Sequence, residues 1–254
     1  LRRALVSLHI SMAIFYQLPT RMAFFSSLLI KSSAENKMKL NTNLSERVVL
    51  HSENLPWVPS PVVGVQRRLL ARDGEEDARA TSIVRYDPGS TFSWHVHPHG
   101  EEIVVLDGEF VDDYGVYPAG TYIKNPPGST HAPRSDAGCT LFVKLRQLND
   151  SDLKRVIVRP SDYRWHPGMV RGLDVLALDQ FGTIHTALVR WAPGTFFSKH
   201  QHFGGEEIFV LQGTFQDEYG HYPTGTWIRS PHMSTHQPYS EVGCLIFVKV
   251  GHLL

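Results

Sequence analysis

Two stretches decide how this chain reads: HVHPHGEEIVVLDG at residues 95–108 and HQHFGGEEIFVLQG at residues 200–213. They stand 105 residues apart, and the likeness runs without a gap from Val84–Leu145 to Val189–Val250. Of those 62 aligned positions, 35 are identical. Duplication of a fold explains the repeated apolar residues and glycines. It does not explain why His95, His97, Glu101 and His131 recur in register as His200, His202, Glu206 and His236. A β-fold has no structural need for imidazoles at those points. Six of the 14 histidines therefore read as two sets of ligands, each with its glutamate.

Around these stretches, helical periodicity is scarce. Short β-branched and apolar runs such as Thr81–Tyr86, Ile103–Leu106, Thr121–Ile123 and Thr140–Leu145 alternate with Gly, Pro and Asp turns. That pattern predicts an all-β chain of sandwich or barrel type. Asp107-Gly108 is expected to end one strand, since Asp-Gly favours a hairpin turn. A short strand is expected at Val156-Ile157-Val158. The repeat predicts two domains, 38–150 and 151–254, packed as a pseudo-symmetric pair through an apolar interface that includes the N-terminal strand of each.

The chemistry follows from spacing. Side chains alternate along a strand, so His95 and His97 face the same way. Glu101 returns beside them after the turn Pro98-His99-Gly100, and His131 arrives from another strand. Three imidazoles and a carboxylate suit a borderline divalent ion: Fe(II) or Zn(II) first, with Mn(II), Ni(II) and Co(II) also compatible. In six-coordinate geometry about two positions would stay open to water or substrate. His200, His202, Glu206 and His236 predict a second such site. Of the neighbouring residues, His99, Arg85 and Arg190 are candidates for a role around the metals. His99 reads otherwise as a solvated turn residue, and the arginines as structural ion pairs. Glu102 and Glu207 are expected on the opposite strand face, exposed or paired. Phe92 and Phe197 are expected near the barrel mouths, and Tyr122 and Trp227 in packing.

Bulk properties exclude some classes. The 254 residues carry no net charge, which gives nucleic acid no electrostatic grip. Residues 1–37 hold five basic residues and one acid, which leaves 20 basic and 24 acidic residues, a net of −4, in the remainder. This segment resembles a transit peptide in composition, but Met38 reads as the natural start, with 1–37 a disordered or non-native extension. Pro19 and Arg21 interrupt its apolar stretch, so stable membrane insertion is not expected. Cys139 and Cys244 occupy equivalent apolar runs and read as buried packing, consistent with a reducing, cytoplasmic setting. Whether two chains form a homodimer is not legible.

The run Gly89-(five)-His95-x-His97-(three)-Glu101-(six)-Gly108 resembles the first motif of the cupin superfamily. Gly120-(five)-Pro126-x-Gly128-(two)-His131 resembles the second, and Gly194 to His236 repeats both. The resemblance covers Val48 to the C-terminus and implies a bicupin: two tandem double-stranded β-helix, jelly-roll-like barrels, each holding one metal. Phrases such as EEIVVLDGEF and GCTLFVKL are similar to the cupin half of ChrR-type anti-sigma factors. Related cupins include small non-haem dioxygenases that cleave diketones or hydroxyketones. Two departures stand out. Ser135 and Ser240 replace an asparagine common after the last ligand, and Met233 replaces the turn glycine matched by Gly128, which is expected to reshape or fill the second mouth. Residues 1–46 contain one histidine and no cysteine, so the zinc-binding helical domain of anti-sigma factors is not seen there. The sequence supports two readings. One is a metal-dependent dioxygenase acting on a small oxygen-donor substrate. The other is a non-enzymatic zinc-binding sensor or regulatory module that lacks the anti-sigma domain.

Overall fold

The computed structural model describes residues 38–254; the expectations for residues 1–37 lie outside them. Among the described residues the only helical turns are the 3₁₀ segments Ser52–Asn54 and Pro160–Asp162. Among the described residues no helix is long and apolar enough to cross a membrane.

The chain forms two antiparallel barrels with matching strand orders. In the first, the main path runs Lys39–Leu40, Val65–Asp73, Arg79–Tyr86, Cys139–Leu145, Glu101–Asp112, Tyr122–Asn125 and Val156–Val158. In the second it runs His166–Pro167, Leu173–Phe181, Ile184–Trp191, Cys244–Val250, Glu206–Asp217, Thr226–Ser230 and Val48–His51. Each path ends on a strand borrowed from the other half. Val48–His51 lies in sequence between Lys39–Leu40 and Val65–Asp73 of the first barrel but pairs with Thr226–Arg229 of the second. Val156–Val158 precedes the second and pairs with Tyr122–Lys124 of the first. The exchange closes a sheet edge that would otherwise expose unpaired backbone groups.

Strand alternation sorts the side chains. Along Glu101–Asp112, Ile103 and Val105 enter the interior of the first barrel with Phe110, Leu141 and Val143. Val104 faces the other way, into a core shared by both halves with Phe142, Phe209, Trp227 and Phe247. The repeated Glu-Glu pair is thereby divided: Glu101 and Glu206 enter the barrels, whereas Glu102 and Glu207 enter the shared core. Both latter residues are buried and paired across the halves, Lys249 with Glu102 and Lys144 with Glu207. Tyr122 Oη donates to Glu102 at 2.9 Å and Trp227 Nε1 to Glu207 at 2.7 Å, so both aromatics pack as expected. Cys139 and Cys244 are buried and unpaired, and burial pushes both thiols up to about 11.

The Asp107-Gly108 expectation is corrected. The strand continues through it to Asp112, and the hairpin turn falls at Asp113–Tyr114. Val105 and Asp107 face consecutive residues Leu141 and Thr140, so Leu106 forms a bulge. Leu211 does the same in the second barrel. Gly108 follows the bulge at φ +71°, where an added Cβ would stand 2.2 Å from the Gly138 carbonyl oxygen. Its glycine serves a close approach inside a sheet rather than a turn.

His252 gives the fold a pH dependence. Its Nε2 lies 3.0 Å from Glu207, and its buried Nδ1 has no partner among the described residues. Burial, with Lys144 adding repulsion, lowers its pKa to about 4. A histidine neutral in the fold and at about 6.5 in the unfolded chain contributes stability that is full above pH 6.5. That contribution is lost as pH falls towards 4. Between pH 7 and 5 this amounts to about 2 kcal/mol. Urea titrations at both pH values are expected to show His252→Gln losing less stability over that interval than the unaltered chain.

Candidate metal centres

His95–His97 pairs antiparallel with Ser129–His131, placing His95 opposite His131. His200–His202 and Ser234–His236 repeat the ribbon, with His200 opposite His236. Cross-strand pairing of this kind brings side chains within reach on one face. The ligand-type atoms of His95, His97 and His131 all lie within 4.8 Å of one another, as do those of His200, His202 and His236. Each set could hold a metal ion.

The glutamates stand beside them. Glu101 Oε2 is 3.5 Å from His97 Nε2 and 3.6 Å from His131 Nε2. Glu206 repeats both distances to His202 and His236. Three features fit an ion. His97 Nε2 and His131 Nε2 are 2.9 Å apart, and His202 and His236 3.0 Å. Two donors about 2.1 Å from one ion and at right angles stand about 3.0 Å apart. Four Nδ1 atoms already face acceptors: His95 the Ser93 carbonyl, His200 the Ser198 carbonyl, His131 Asp112 and His236 Asp217. A proton held on Nδ1 leaves the Nε2 lone pair free for a metal. Finally, Glu206 Oε2 is buried without a hydrogen-bond partner, and burial raises its pKa to about 7. An orphaned carboxylate oxygen calls for a cation.

Burial also lowers the pKa of His97, and brings that of His202 to about 3, so both are neutral, as ligands must be. At His236 burial opposes the charge, but hydrogen bonding to Asp217 and the charge of Glu206 outweigh it and the pKa is raised. Asp112 and Asp217 were not singled out from sequence. Asp112 also accepts from Tyr117 Oη at 2.9 Å and the Tyr114 amide at 2.8 Å. Asp217 accepts from Tyr222 Oη at 2.6 Å and the Tyr219 amide at 2.8 Å.

The candidate outer residues lie elsewhere. His99 is exposed and bonds Asp150 at 2.8 Å. Arg85 bonds Gln66 and stacks 4.3 Å over Trp57. Arg190 pairs with Asp174 at 2.8 Å and stacks over Trp165. Both arginines hold neighbouring strands together; Arg190 does so through the ion pair read from sequence, whereas Arg85 does so through a neutral amide and an aromatic ring.

The two sites differ. Glu101 receives Asn125 Nδ2 at 3.1 Å; Ser230 stands at the position equivalent to Asn125. The first histidine set opens into a cavity of about 430 Å³, walled mainly by apolar side chains including Phe92, Phe110 and Leu141. Arg67 and Arg146 line it too, each paired at 2.8 Å with an acid of the 74–78 turn, Glu76 and Asp77. The equivalent second-barrel positions hold Val175 and Gly251.

Met233 leaves the second turn in shape, contrary to expectation. It adopts φ +63°, close to the +78° of Gly128. Its amide bonds the His202 carbonyl at 2.9 Å, as Gly128 bonds that of His97 at 2.8 Å. The backbone keeps the conformation because that bond fixes the ribbon, and the side chain turns outward, 47% exposed. The strain is about 1–2 kcal/mol, partly offset by the freedom glycine gains when unfolded. Met233→Gly is expected to raise stability by about 0.5–1 kcal/mol, read as a higher urea midpoint at unchanged slope.

Fold and paired histidine sets define a bicupin. The chain belongs to the ChrR cupin-like domain family, whose model matches residues 45–149 and again 153–254. Solved structures share the fold at low identity. A protein from Nostoc punctiforme PCC 73102, provisionally named a dioxygenase, aligns at 14% identity with a TM-score of 0.69, over 83% of this chain and 84% of its own. Ylba from E. coli aligns at 15% and 0.63, over 85% and 94%. The oxalate decarboxylase of Lactobacillus farciminis, solved as a formate complex, aligns at 13% and 0.58, over 82% and 86%. No curated protein matches the sequence.

Proposed function

We propose that the first barrel is the site of a metal-dependent oxidoreductase, a dioxygenase for a small oxygen-donor substrate such as a diketone or hydroxyketone. Here His95, His97, Glu101 and His131 are the ligands; His200, His202, Glu206 and His236 hold a second ion. One observation carries the reading: the convergent histidines and glutamate sit in a mainly apolar cavity of about 430 Å³, large enough for a small substrate. A redox-active ion such as Fe(II), when bound, supplies Lewis acidity toward the substrate's oxygens and electron transfer toward dioxygen. The chain's own contribution is positional. Asp112 and the Ser93 carbonyl orient two imidazoles, and the apolar wall excludes water. Arg67 and Arg146, each paired with an acid that also lines the cavity, add polar groups to its wall without net charge. The dioxygenase name carried by the Nostoc structure agrees with this class of chemistry.

The family itself favours a second reading, a zinc-binding regulatory module without a catalytic step. One experiment separates them. Protein purified without oxygen or chelators is analysed for metal, then iron-loaded and mixed with a panel of diketones, hydroxyketones and catechols. The dioxygenase reading expects iron and substrate-dependent oxygen uptake that His97→Ala abolishes. Zinc alone, with no uptake from any substrate at full iron loading, would transfer the assignment to the regulatory module.

A further inference from the structure

The exchanged strands do more than close sheet edges. Each is preceded by one arginine, Arg47 before Val48–His51 and Arg155 before Val156–Val158. Arg155 belongs to the second family match, yet its Nη2 lies 3.2 Å from Asp112 Oδ2 in the first barrel. Arg47 belongs to the first match, and its Nη2 lies 3.3 Å from Asp217 Oδ2 in the second. Those same oxygens face the last histidine of each set, at 3.1 Å from His131 Nδ1 and 3.4 Å from His236 Nδ1. The other oxygen of each aspartate is already occupied by a turn amide and a tyrosine hydroxyl. The arginines are held in turn by aromatic rings. Arg155 stacks 3.7 Å over Tyr114, and Arg47 lies 5.2 Å from the Tyr219 ring and donates to Tyr222 Oη at 2.7 Å.

We infer that Arg47 and Arg155 are positioning residues that make each metal site depend on the opposite half of the chain. Both aspartate side chains are almost wholly buried. A buried carboxylate needs a nearby cation to remain charged and oriented. The arginine supplies that charge, the carboxylate fixes the Nδ1 proton of the histidine, and the histidine presents Nε2 to the ion. The relay runs twice, in opposite senses, through arms that cross between barrels. Neither barrel alone contains a complete site.

This rests on the metal reading, and its test separates the two. Zinc affinity of the full chain is measured by competition with a chromophoric chelator, one site at a time, the other silenced by His97→Ala or His202→Ala. Arg155→Met, which keeps an apolar stem against Tyr114, is expected to weaken the first site about 3–10-fold, less than the 10–100-fold typical of a direct partner. It leaves the second site unchanged; Arg47→Met does the reverse. Arg155→Lys restores most of the loss. In an Asp112→Asn background Arg155→Met adds nothing, because the relay is already cut. Equal weakening at both sites, no weakening, or full additivity with Asp112→Asn would overturn the inference. Failure of the unaltered chain to bind zinc at either site would remove the metal reading beneath it.

Discussion

Lys249→Met is expected to lower stability by about 3–5 kcal/mol, a large part of the 5–15 kcal/mol typical of a folded protein. Lys249 and Glu102 pair in the shared core, and Lys144 and Glu207 repeat the pair 105 residues away across the pseudo-twofold. All four side chains are nearly inaccessible to water. Burial opposes the charge on Glu207, but Lys144 and His252 outweigh it and hold the carboxyl well below its usual range. Removing one lysine leaves a carboxylate stranded between two barrels, and the charge must then be protonated or hydrated at the expense of the interface. The companion variant separates pairing from packing. Glu102→Gln keeps an acceptor for Tyr122 Oη, so Glu102→Gln with Lys249→Met should recover most of the loss. Guanidinium unfolding of the metal-saturated chain measures both. A loss under about 1 kcal/mol for Lys249→Met, the size of a surface ion pair, would mean that water reaches the quartet.

The same pairs explain which parts of the molecule the sequence disclosed. Barrels and histidines were legible because the repeat marks them twice. Alternation from Glu101 correctly put Glu102 on the far face. What that face meets was not legible, because a Glu-Lys pair 147 residues apart leaves no local pattern. Asp112 was hidden by the bulge at Leu106. Eleven residues from Glu101, it should face outward by strict alternation, and the extra residue turns it inward to His131. Asp107-Gly108 departs from the hairpin expectation for a related reason: the glycine answers the approach of Gly138, in the bend that leads into the strand Cys139–Leu145. The exchanged strand Val156–Val158 was readable as a strand, but its partner was not, since three apolar residues fit the edge of either barrel.

Loss of one histidine is expected to empty one site and spare the other. His97→Ala removes a buried donor whose Nε2 stands 2.9 Å from that of His131, and no side chain replaces it. Affinity at the first site should fall by more than the roughly 100-fold upper range for outer-shell partners, so that about one ion per chain remains of about two. His202→Ala should give the mirror result, while Asp112→Asn, which leaves every donor in place but loosens His131, should fall between. Metal analysis after dialysis against a weak chelator distinguishes the three. The thermal consequences should differ by barrel. In the second, an empty site leaves Glu206 Oε2 buried without a donor, whereas in the first Asn125 still serves Glu101. Metal removal should therefore destabilise the His97→Ala chain, whose remaining ion sits in the second site, more than the His202→Ala chain. Differential scanning calorimetry with and without chelator reads that difference. An equal shift in both variants would mean that Glu206 has found a partner, and that the two carboxylates serve their ions alike.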